Sequence, residues 1–312
     1  MKLALAGDTM LGRKVAEAVT EHGPDSIVAD EVVAVAREAD VFVLNLECCI
    51  SERGERWTEP GKRFFFRAPP AATEVLTRLG VDCVTLANNH ALDYGRDALL
   101  DTLVHLRTAG IACVGAGADP TAARAPAVLE RGGFRLAVLG CADHPREYAA
   151  GAATPGIAYG LGWVPAAIEQ TEADAVLVTP HWGPNMVAAP LRRIRQDAAT
   201  FRESGATLVA GHSAHVFHGV VPGMLYDLGD FLDDYAVDPV LRNDLGLLFL
   251  VDLDGDGARR LEAVPLEVEF CHTRLAVGES AAWIRNRFGE ACRQLGTEIT
   301  EERGRLAVSL RG

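Results

Sequence analysis

The sequence lacks any uncharged apolar run of the roughly 18 residues that a membrane-spanning helix requires. Its opening stretch, MKLALAG, is also too short for a secretory signal, because Asp8, Arg13 and Lys14 interrupt it before an apolar region is complete. We therefore expect a cytoplasmic protein that does not use a membrane as a partner.

Cys-x-x-Cys pairs are absent as well, and the seven cysteines are scattered along the chain. An odd, dispersed set of thiols argues against a disulfide framework and against a structural zinc site. Cys83, Cys113 and Cys141 lie within apolar runs, where cysteine packs as a small hydrophobic residue. The pattern indicates reduced thiols with a structural role.

Positive charge is scarce, since 30 Lys and Arg stand against 43 Asp and Glu, and the formal net charge is −13. Proteins that bind nucleic acid or anionic membranes present a basic surface, so this balance argues against both as main partners. A polyanionic substrate would require a metal ion or local arginines to offset the negative field. No pattern in the chain indicates a particular oligomeric state.

What the chain does contain is an alternation of short apolar runs and amphipathic stretches over 312 residues. This alternation predicts an α/β fold, in which helices pack on a sheet. The predicted strands are near 2–6, 41–46, 82–87, 111–115, 134–140, 174–179, 206–210, 216–221 and 223–228. The predicted helices are near 12–21, 29–38, 70–79, 94–109, 164–172, 190–204 and 279–295. Two further strands, 246–253 and 261–270, flank the turn DLDGDGARR, so the chain is expected to be richer in β-structure from about residue 246.

Polar residues follow one apolar run after another, at the point where each predicted strand ends. These residues are Asp8, Asn45, Glu47, Asn88, Asn89, His90, His181, His212 and His215. Each alone has a simpler explanation, such as a helix N-cap for Asp8 or a hydrogen-bonded structural role for His181. Because the carboxyl ends of strands meet at one edge of an α/β sheet, we expect the set to converge there.

Carboxylate, amide and imidazole ligands together suit a divalent cation that is not soft. Clustering Asp8 and Glu47 without a cation would also be unfavourable, because their like charges repel. We expect a divalent metal ion as cofactor, with Ca, Mn or Mg favoured and Zn or Fe as alternatives.

The motifs GDTMLGR, NLE, KRFFFRAPP, LANNHALDYG, GAGADPTAA, HWG, GATLVAGHSAH and YDLGDF occur in this order between residue 1 and about residue 235. As an ordered set they resemble the CapA family, named for poly-γ-glutamate capsule synthesis, which in turn resembles the calcineurin-like metallophosphoesterase superfamily. The resemblance implies a calcineurin-like metallophosphoesterase fold, a β-sandwich flanked by helices, in a single domain over residues 1–312. It also implies a metal centre whose ligands are Asp8, Glu47, Asn89, His181, His212 and His215. His90 would be the acid/base group beside that centre, and Asp93 would orient its ring.

The sequence departs from the family pattern in three respects. The Asp-x-His of phosphoesterases is here DTM, so Met10 stands where an imidazole ligand is usual. The Leu-Gly-Asn-Phe of CapA proteins is here LGDF, which adds Asp230 near the site. Capsule-system members are commonly membrane-anchored, whereas we expect no anchor here.

The missing imidazole weakens the case for two-metal hydrolysis and favours proton transfer at a carbon next to a carbonyl. The proton carriers would be His90 with Asp93 and His215 with Asp230, or His212 in place of His215. The lasso-peptide epimerase branch of CapA-like proteins is similar in this respect. We therefore favour metal-dependent epimerisation at the Cα of a C-terminal residue in a ribosomal precursor peptide. Two alternatives stay open: hydrolysis or ligation of a peptide, γ-glutamyl or phosphoester bond, and a non-catalytic metal-binding subunit of a biosynthetic complex.

Contacts with the peptide substrate are expected from Arg63 and Arg67 and from the long loop 142–163, which contains Arg146 and Trp163. Arginine suits bidentate capture of a carboxylate, and an indole ring suits an aromatic side chain. The alternative is that these arginines are solvated and that the aromatic residue packs within its own loop.

Overall fold

The computed structural model describes residues 1–58 and 62–310. The strands within these ranges are β1 (Lys2–Thr9), β2 (Val41–Leu46), β3 (Cys49–Ile50), β4 (Arg67–Ala68), β5 (Cys83–Thr85), β6 (Ala112–Val114), β7 (Ala116–Gly117), β8 (Ala127–Arg131), β9 (Phe134–Ala142), β10 (Gly156–Ile157), β11 (Ala175–His181), β12 (Leu208–Ala210), β13 (Val220–Val221), β14 (Met224–Leu225), β15 (Asp230–Leu232), β16 (Leu245–Asp254), β17 (Gly257–Glu269), β18 (His272–Leu275), β19 (Thr300–Glu302) and β20 (Arg305–Ser309). The helices are α1 (Arg13–His22), α2 (Asp30–Ala36), α3 (Ala72–Leu79), α4 (Gly95–Thr108), α5 (Pro120–Arg124), α6 (Val164–Glu169), α7 (Arg192–Glu203) and α8 (Gly278–Gln294). Short 3₁₀ turns lie at Pro24–Ser26 and Arg146–Tyr148.

The first large sheet joins a parallel half to an antiparallel half, in the order β19-β20-β17-β16-β1-β2-β5-β6. Strands β1, β2, β5 and β6 run parallel, and the helices α1 to α4 lie in the connections between them. Almost every residue of β1 and β2 is buried, which explains why KLALAGDT and VFVLNL are nearly continuous apolar runs. Strand β15 pairs with the carboxyl end of β1, and this pairing sets Asp8 beside Asp230.

The second large sheet has the order β13-β14-β12-β11-β9-β8. Its strands β9, β11, β12 and β14 are parallel, while α6 connects β9 to β11 and α7 connects β11 to β12. The carboxyl ends of β11 and β12 therefore lie at the same edge, where His181 forms an isolated bridge with His212.

The two sheets share one apolar core, to which Leu5 of β1, Leu177 of β11 and Phe249 of β16 contribute. A second core lies between the first sheet and α1 to α4, and a third lies between the second sheet and α6 and α7. Each Leu or Phe side chain buried in these cores contributes about 1.5–3 kcal/mol. The layers are thus helix, sheet, sheet and helix, which confirms the predicted α/β sandwich with flanking helices.

Most predicted elements are present, with ends that differ by a few residues. The strand predicted over 216–221 is wrong for its first half, because only Val220–Val221 is extended enough to pair. Just before it, Ser213 and His215 have left-handed backbones, with φ values of 111° and 59°, so the chain turns there instead of extending. Strands β3, β4, β7, β8, β10, β15, β18, β19 and β20 and helix α5 were not predicted, since segments of two to five residues are too short to show a clear periodic pattern.

Among the helices in the described part of the chain, none combines the length and the apolarity that crossing a bilayer demands.

Candidate metal centre

The predicted metal ligands lie where the carboxyl ends of both sheets meet. Asp8, near the end of β1, pairs with Asn45 of β2 on one side and with Asp230 of β15 on the other. His181 ends β11 and His212 follows β12, so the second sheet contributes the imidazoles. The strand-end rule used on the sequence therefore brings these residues together, although they come from two sheets instead of one.

Short distances join the carboxylates to the imidazoles. Asp8 Oδ1 lies 3.4 Å from His212 Nδ1, and Asp8 Oδ2 lies 3.2 Å from His215 Nδ1. His215 Nδ1 is also 2.8 Å from Asp230 Oδ1, and Glu47 Oε1 is 3.6 Å from His181 Nδ1. All of these side chains are buried.

Two groups of three residues could each hold a cation, and both include Asp8. One consists of Asp8, His215 and Asp230, and the other of Asp8, Glu47 and His181; within each group the ligand atoms lie within 4.8 Å of one another. A carboxylate shared by two groups is the arrangement that bridges neighbouring cations in two-metal sites.

Several buried ligand atoms in this cluster have no hydrogen-bond partner among the described residues. They are both carboxylate oxygens of Glu47, both ring nitrogens of His181, Nδ1 of His212 and Oδ1 of Asn89. An unsatisfied buried polar group costs about 1–3 kcal/mol, so a fold does not leave this many together without a ligand. Because Glu47 and His181 converge with Asp8 within 4.8 Å and His212 lies beside Asp8, these oxygen and nitrogen donors fit a divalent cation.

The protonation states within the cluster point the same way. Burial and the neighbouring Asp8 carboxylate raise the pKa of Glu47 well above its usual value. Burial also acts to raise the pKa of Asp8, but the nearby imidazoles of His212 and His215 outweigh it and hold that pKa well below its usual value. Burial lowers the pKa of His181, which keeps its ring neutral and available as a ligand. A cation would let both carboxylates ionise together.

A hydrogen-bonded chain of amides orients the oxygen ligands. The side-chain amide of Asn45 donates to Asp8 Oδ1 at 2.7 Å, and the amide of Asn88 donates to Asn45 Oδ1 at 2.9 Å. Asn88 Oδ1 accepts from the backbone N–H of His90 at 3.0 Å. In the motif NNH, Asn88 is therefore a structural connector, while Asn89 Oδ1 has no hydrogen-bond partner within residues 1–58 and 62–310.

His90 is held by Asp93, as the sequence predicts. Its Nδ1 lies 2.7 Å from Asp93 Oδ2, and because a carboxylate only accepts, Nδ1 donates and Nε2 is left to take up a proton. Asp93 also accepts from the Lys62 ammonium at 2.8 Å and from the Tyr148 hydroxyl at 3.2 Å. Phe66 stacks on the His90 ring with a centroid separation of 4.0 Å. Ring and carboxylate are thus fixed from several sides.

A cavity of about 500 Å³ opens onto both His90 and His215. Its other walls include Arg13, Phe64, Phe66 and Tyr235. This cavity is the place where a substrate can reach the two imidazoles.

The four residues predicted to contact substrate are not brought together. Arg63 is exposed, and the guanidinium of Arg67 lies over the Tyr94 ring at 4.2 Å and donates to Gly54 O at 3.2 Å. Arg146 is exposed on a 3₁₀ turn. Trp163 precedes α6 and packs against the third core. None of the four is among the described residues that line the cavity beside His90.

Sequence reasoning missed residues that the structure puts at the site. His144 lies with its ring 5.3 Å from that of His181 and hydrogen bonds to Asp143. The strand-end rule, applied to LGCADH at the end of β9, would have found it. Lys62, inside the motif KRFFFRAPP, has no such signal, because its role depends on reaching the carboxylate of Asp93.

Two other expectations concern residues around the centre. Met10 is fully buried in the second core, and its Sδ accepts a hydrogen bond from Gly12 N at 3.0 Å, so its side chain replaces the usual imidazole with a packing contact.

All seven cysteines are free thiols, as predicted. Burial raises the pKa of Cys49, which is beside the site, to about 12, so that thiol stays protonated.

The family model for bacterial capsule synthesis proteins, PGA_cap, matches residues 2–235. A probable polyglutamine synthesis accessory protein of Mycobacterium tuberculosis is 30% identical over 291 residues, which cover 83% of this chain and 74% of that protein. The PGA biosynthesis protein CapA of Bacillus subtilis is 28% identical over 279 residues, which cover 86% of this chain and 72% of that protein.

Two solved structures share the fold. A novel phosphatase from Mycoplasma pneumoniae superposes with a TM-score of 0.54 and 12% identity, over 86% of this chain and 93% of that one. A hypothetical protein from Thermus thermophilus gives a TM-score of 0.53 and 16% identity, over 86% of this chain and all of that one. These likenesses confirm the calcineurin-like metallophosphoesterase fold. Since the family model matches well over half of the residues, the chain belongs to the PGA_cap family of bacterial capsule synthesis proteins.

Proposed function

We propose that this chain is a metal-dependent enzyme that epimerises a residue of a peptide by removing a proton from its Cα and returning one on the opposite face. The observation that supports this most is that two carboxylate–imidazole pairs, His90 with Asp93 and His215 with Asp230, open onto one cavity. Inversion at carbon needs two proton carriers, whereas hydrolysis needs only one besides the attacking water.

The two imidazoles are spaced by a row of aromatic rings. His90 stacks on Phe66, Phe66 lies 5.7 Å from Tyr235, and Tyr235 meets His215 edge-on at 5.4 Å. Both imidazoles line the same cavity, so a substrate carbon held between them would have a proton carrier on either side.

Each proton carrier has its own orienting carboxylate. Asp93 holds His90 through Nδ1, which leaves Nε2 to take a proton from the substrate. Asp230 and Asp8 flank His215 Nδ1 at 2.8 Å and 3.2 Å, and these two negative charges stabilise a protonated ring. His90 is thus suited to act as the base and His215 as the acid.

The metal ligands would be Asp8, Glu47, Asn89, His181 and His212, with His215 at their edge. A bound divalent cation would supply positive charge that stabilises the negative charge developing on the carbonyl oxygen next to the reacting carbon. A peptide is the substrate class because relatives carry names that refer to polyglutamate or polyglutamine synthesis. We extend this to the C-terminal residue of a ribosomal precursor peptide, in line with the resemblance noted from the sequence.

A second candidate function is hydrolysis of a phosphoester, peptide or γ-glutamyl bond. It is favoured by the two potential cation sites that share Asp8 and by the fold, which is that of a phosphatase at low identity. Hydrolysis would use His90 as the acid that protonates the leaving group.

One incubation separates these two functions. Metal-loaded protein is mixed with a candidate peptide in heavy water, and the peptide is analysed by mass spectrometry and chiral amino-acid analysis. Epimerisation predicts one deuteron at one Cα, inversion there, and a chain of unchanged length. Released phosphate or a shortened peptide would instead establish hydrolysis.

Two variants identify the proton carrier. His90→Gln should reduce deuterium incorporation by at least 100-fold, because general acid/base catalysis contributes about 10²–10⁴ in rate. His22→Gln, an exposed position at the end of α1, is the matched control and should keep full activity. A biological function that survives His90→Gln would point to a non-catalytic subunit.

A further inference from the structure

The cavity beside His90 and His215 has an uneven distribution of charge. Among its described lining residues, Arg13 alone carries a permanent positive charge. Most of the remaining wall is apolar or aromatic, with Phe64, Met186, Tyr235 and Val237 among the contributors. A ligand that fits this surface has one anionic group and an otherwise apolar body.

The guanidinium of Arg13 is held in place by an ion pair and by two aromatic rings. Its Nε lies 3.1 Å from Oδ2 of Asp234, whose side chain is fully buried. Its central carbon is 5.6 Å from the Phe66 ring centre and 5.7 Å from that of Phe64, so the guanidinium is also placed by aromatic rings. In the described part of the chain, no hydrogen bond occupies its two terminal nitrogens. They form a fork that matches a carboxylate.

The backbone of Arg13 supports the same interpretation. Its φ of 50° is in the left-handed region, which an arginine adopts at a cost of about 1–3 kcal/mol. Glycine would avoid that cost, and Gly12 is the residue directly before it. A strained arginine at the start of α1 is accounted for if its side chain binds something in the cavity.

Phe66 connects this arginine to the proton carrier. The Arg13 guanidinium and the His90 imidazole both lie against the Phe66 ring, at 5.6 Å and 4.0 Å from its centre. The two groups are therefore within about 10 Å of each other, and both line the same cavity. In a peptide, the atom next to a terminal carboxylate is the Cα of the last residue.

We infer that Arg13 binds the terminal carboxylate of the peptide and that the apolar wall receives the side chain of the last residue. This inference rests on the proposed function for the identity of the reacting carbon. It also narrows the substrate to peptides that end in an apolar residue. A polyglutamate chain would bring several carboxylates to a cavity with one arginine and with Asp238 on its rim.

The test measures binding and requires no turnover. Metal-loaded protein is titrated by ligand-detected NMR with N-acetyl-L-phenylalanine, with its amide, and with N-acetyl-L-glutamate. We expect N-acetyl-L-phenylalanine to bind at least tenfold more tightly than the amide and more tightly than N-acetyl-L-glutamate. Equal affinity of acid and amide, or preference for the glutamate probe, would overturn the inference.

Variants assign the carboxylate to its arginine. Arg13→Gln should weaken N-acetyl-L-phenylalanine at least tenfold and leave the amide unchanged, while Arg13→Lys should recover part of the affinity because it keeps the charge without the fork. Arg107→Gln, an exposed arginine on α4, is the matched control. If Arg63→Gln weakens the probe and Arg13→Gln does not, or if the probe binds the metal centre directly and ignores Arg13, the inference is wrong.

A final variant guards against misfolding. Removing Arg13 alone takes the ion-pair partner away from the buried Asp234, whose Oδ2 keeps the backbone N–H of Lys14 at 3.0 Å, so the double variant Arg13→Gln/Asp234→Asn removes both charges and should fold with the probe still weakened. This test separates the carboxylate site from the proposed reaction. Binding that depends on Arg13, without deuterium incorporation, would reject epimerisation and keep the carboxylate site. Deuterium incorporation, with binding that does not depend on Arg13, would keep epimerisation and reject the carboxylate site.

Discussion

Replacing Glu47 with glutamine tests the metal centre sharply, because the expected sign of the effect depends on whether a cation is bound. The ligand atoms of Glu47 and Asp8 lie within 4.8 Å of each other, and two unit charges at that distance would repel by about 3.5 kcal/mol at an effective dielectric constant of about 20, so in metal-free protein Glu47 keeps a proton instead. Glutamine has nearly the same shape and is neutral without taking up a proton. We expect Glu47→Gln to raise the free energy of unfolding of the metal-free protein by about 2 kcal/mol, since the buried amide retains part of the desolvation cost.

Glu47→Gln should also change how the free energy of unfolding depends on pH. Burial raises the pKa of Glu47 above its usual 4.5, so above that pH the native state retains a proton that the unfolded state has lost. Stability of the metal-free protein should therefore fall as the pH rises from about 4.5 through the raised pKa. Glu47→Gln removes this contribution and should flatten the curve.

With metal the order reverses. A cation at 100 to 1,000 times its dissociation constant stabilises the native wild type by about 3 to 4 kcal/mol. A neutral amide oxygen is a weaker ligand, so Glu47→Gln should lose most of this gain and become the less stable protein. The assay is scanning calorimetry after dialysis against EDTA, repeated with Mn²⁺, Ca²⁺, Mg²⁺ and Zn²⁺, where about 1 kcal/mol corresponds to about 2–4 °C.

Glu262→Gln is the control, because Glu262 is a half-buried carboxylate that pairs with Arg305 at 2.9 Å, outside the centre. It should lower stability equally with and without metal. A Glu47→Gln protein that is destabilised in the absence of metal, or that keeps the full metal-induced shift, would refute the assignment of Glu47 to a cation site.

Three further predictions concern other parts of the molecule. Lys62→Met should lower the free energy of unfolding, measured in urea, by about 3 kcal/mol, because it removes the ammonium that lies 2.8 Å from the buried Asp93 carboxylate. Lys62→Arg, which keeps the charge, should lose less. A methionine variant as stable as the wild type would contradict the ion pair. Burial lowers the pKa of His218 to about 4, whereas the unfolded residue has its ordinary value of about 6.5. The free energy of unfolding should therefore fall by up to about 3 kcal/mol as the pH drops from about 6.5 to about 4, because the unfolded chain takes up a proton that the buried ring does not. His218→Gln should flatten the plot of stability against pH over this range, and an unchanged slope would count against the prediction. Gly7→Ala would place a methyl group against the carbonyl oxygen of Gly229, just before β15, and should weaken metal binding at least tenfold in calorimetric titration. Gly162→Ala, which has open space around it, is the control and should leave metal binding unchanged. Unaltered affinity of the Gly7→Ala protein would show that this close backbone approach is dispensable.

The cluster of predicted metal ligands could be located from the sequence because its signal is local. Each of Asp8, Glu47, Asn89 and His181 follows an apolar run, and the rule that strand ends converge needs no knowledge of which strand neighbours which. Asp93 was also within reach, since a residue three positions after His90 in a turn comes back to it. The α/β layers follow from the same alternation.

The substrate side could not be predicted in this way, because the direction of a long arginine side chain depends on what it packs against. Arg67 directly follows a run of phenylalanines and Arg13 has no aromatic residue near it in sequence, yet Arg67 lies over Tyr94 while Arg13 lies against Phe66 and lines the cavity. Tertiary packing decides between these side-chain directions, and no periodic pattern in the sequence indicates which one occurs. The same holds for Lys62, whose contact with Asp93 joins residues 31 positions apart only through the fold.

Met10 and Asp230 are the two residues by which this chain, with its phosphatase-like fold, would favour the proton transfer proposed above. The imidazole usual at position 10 is replaced by a thioether that points into the core, so one potential cation site loses a nitrogen ligand. Pairing of β15 with β1 then brings a carboxylate to the same place, where Asp230 hydrogen bonds to His215. His215 is therefore flanked by two carboxylates, which stabilise its protonated form and oppose its use as a plain metal ligand. Under the proposed function, the missing imidazole and the added carboxylate would favour moving protons at a carbon over holding a bond between two cations, without a change of fold.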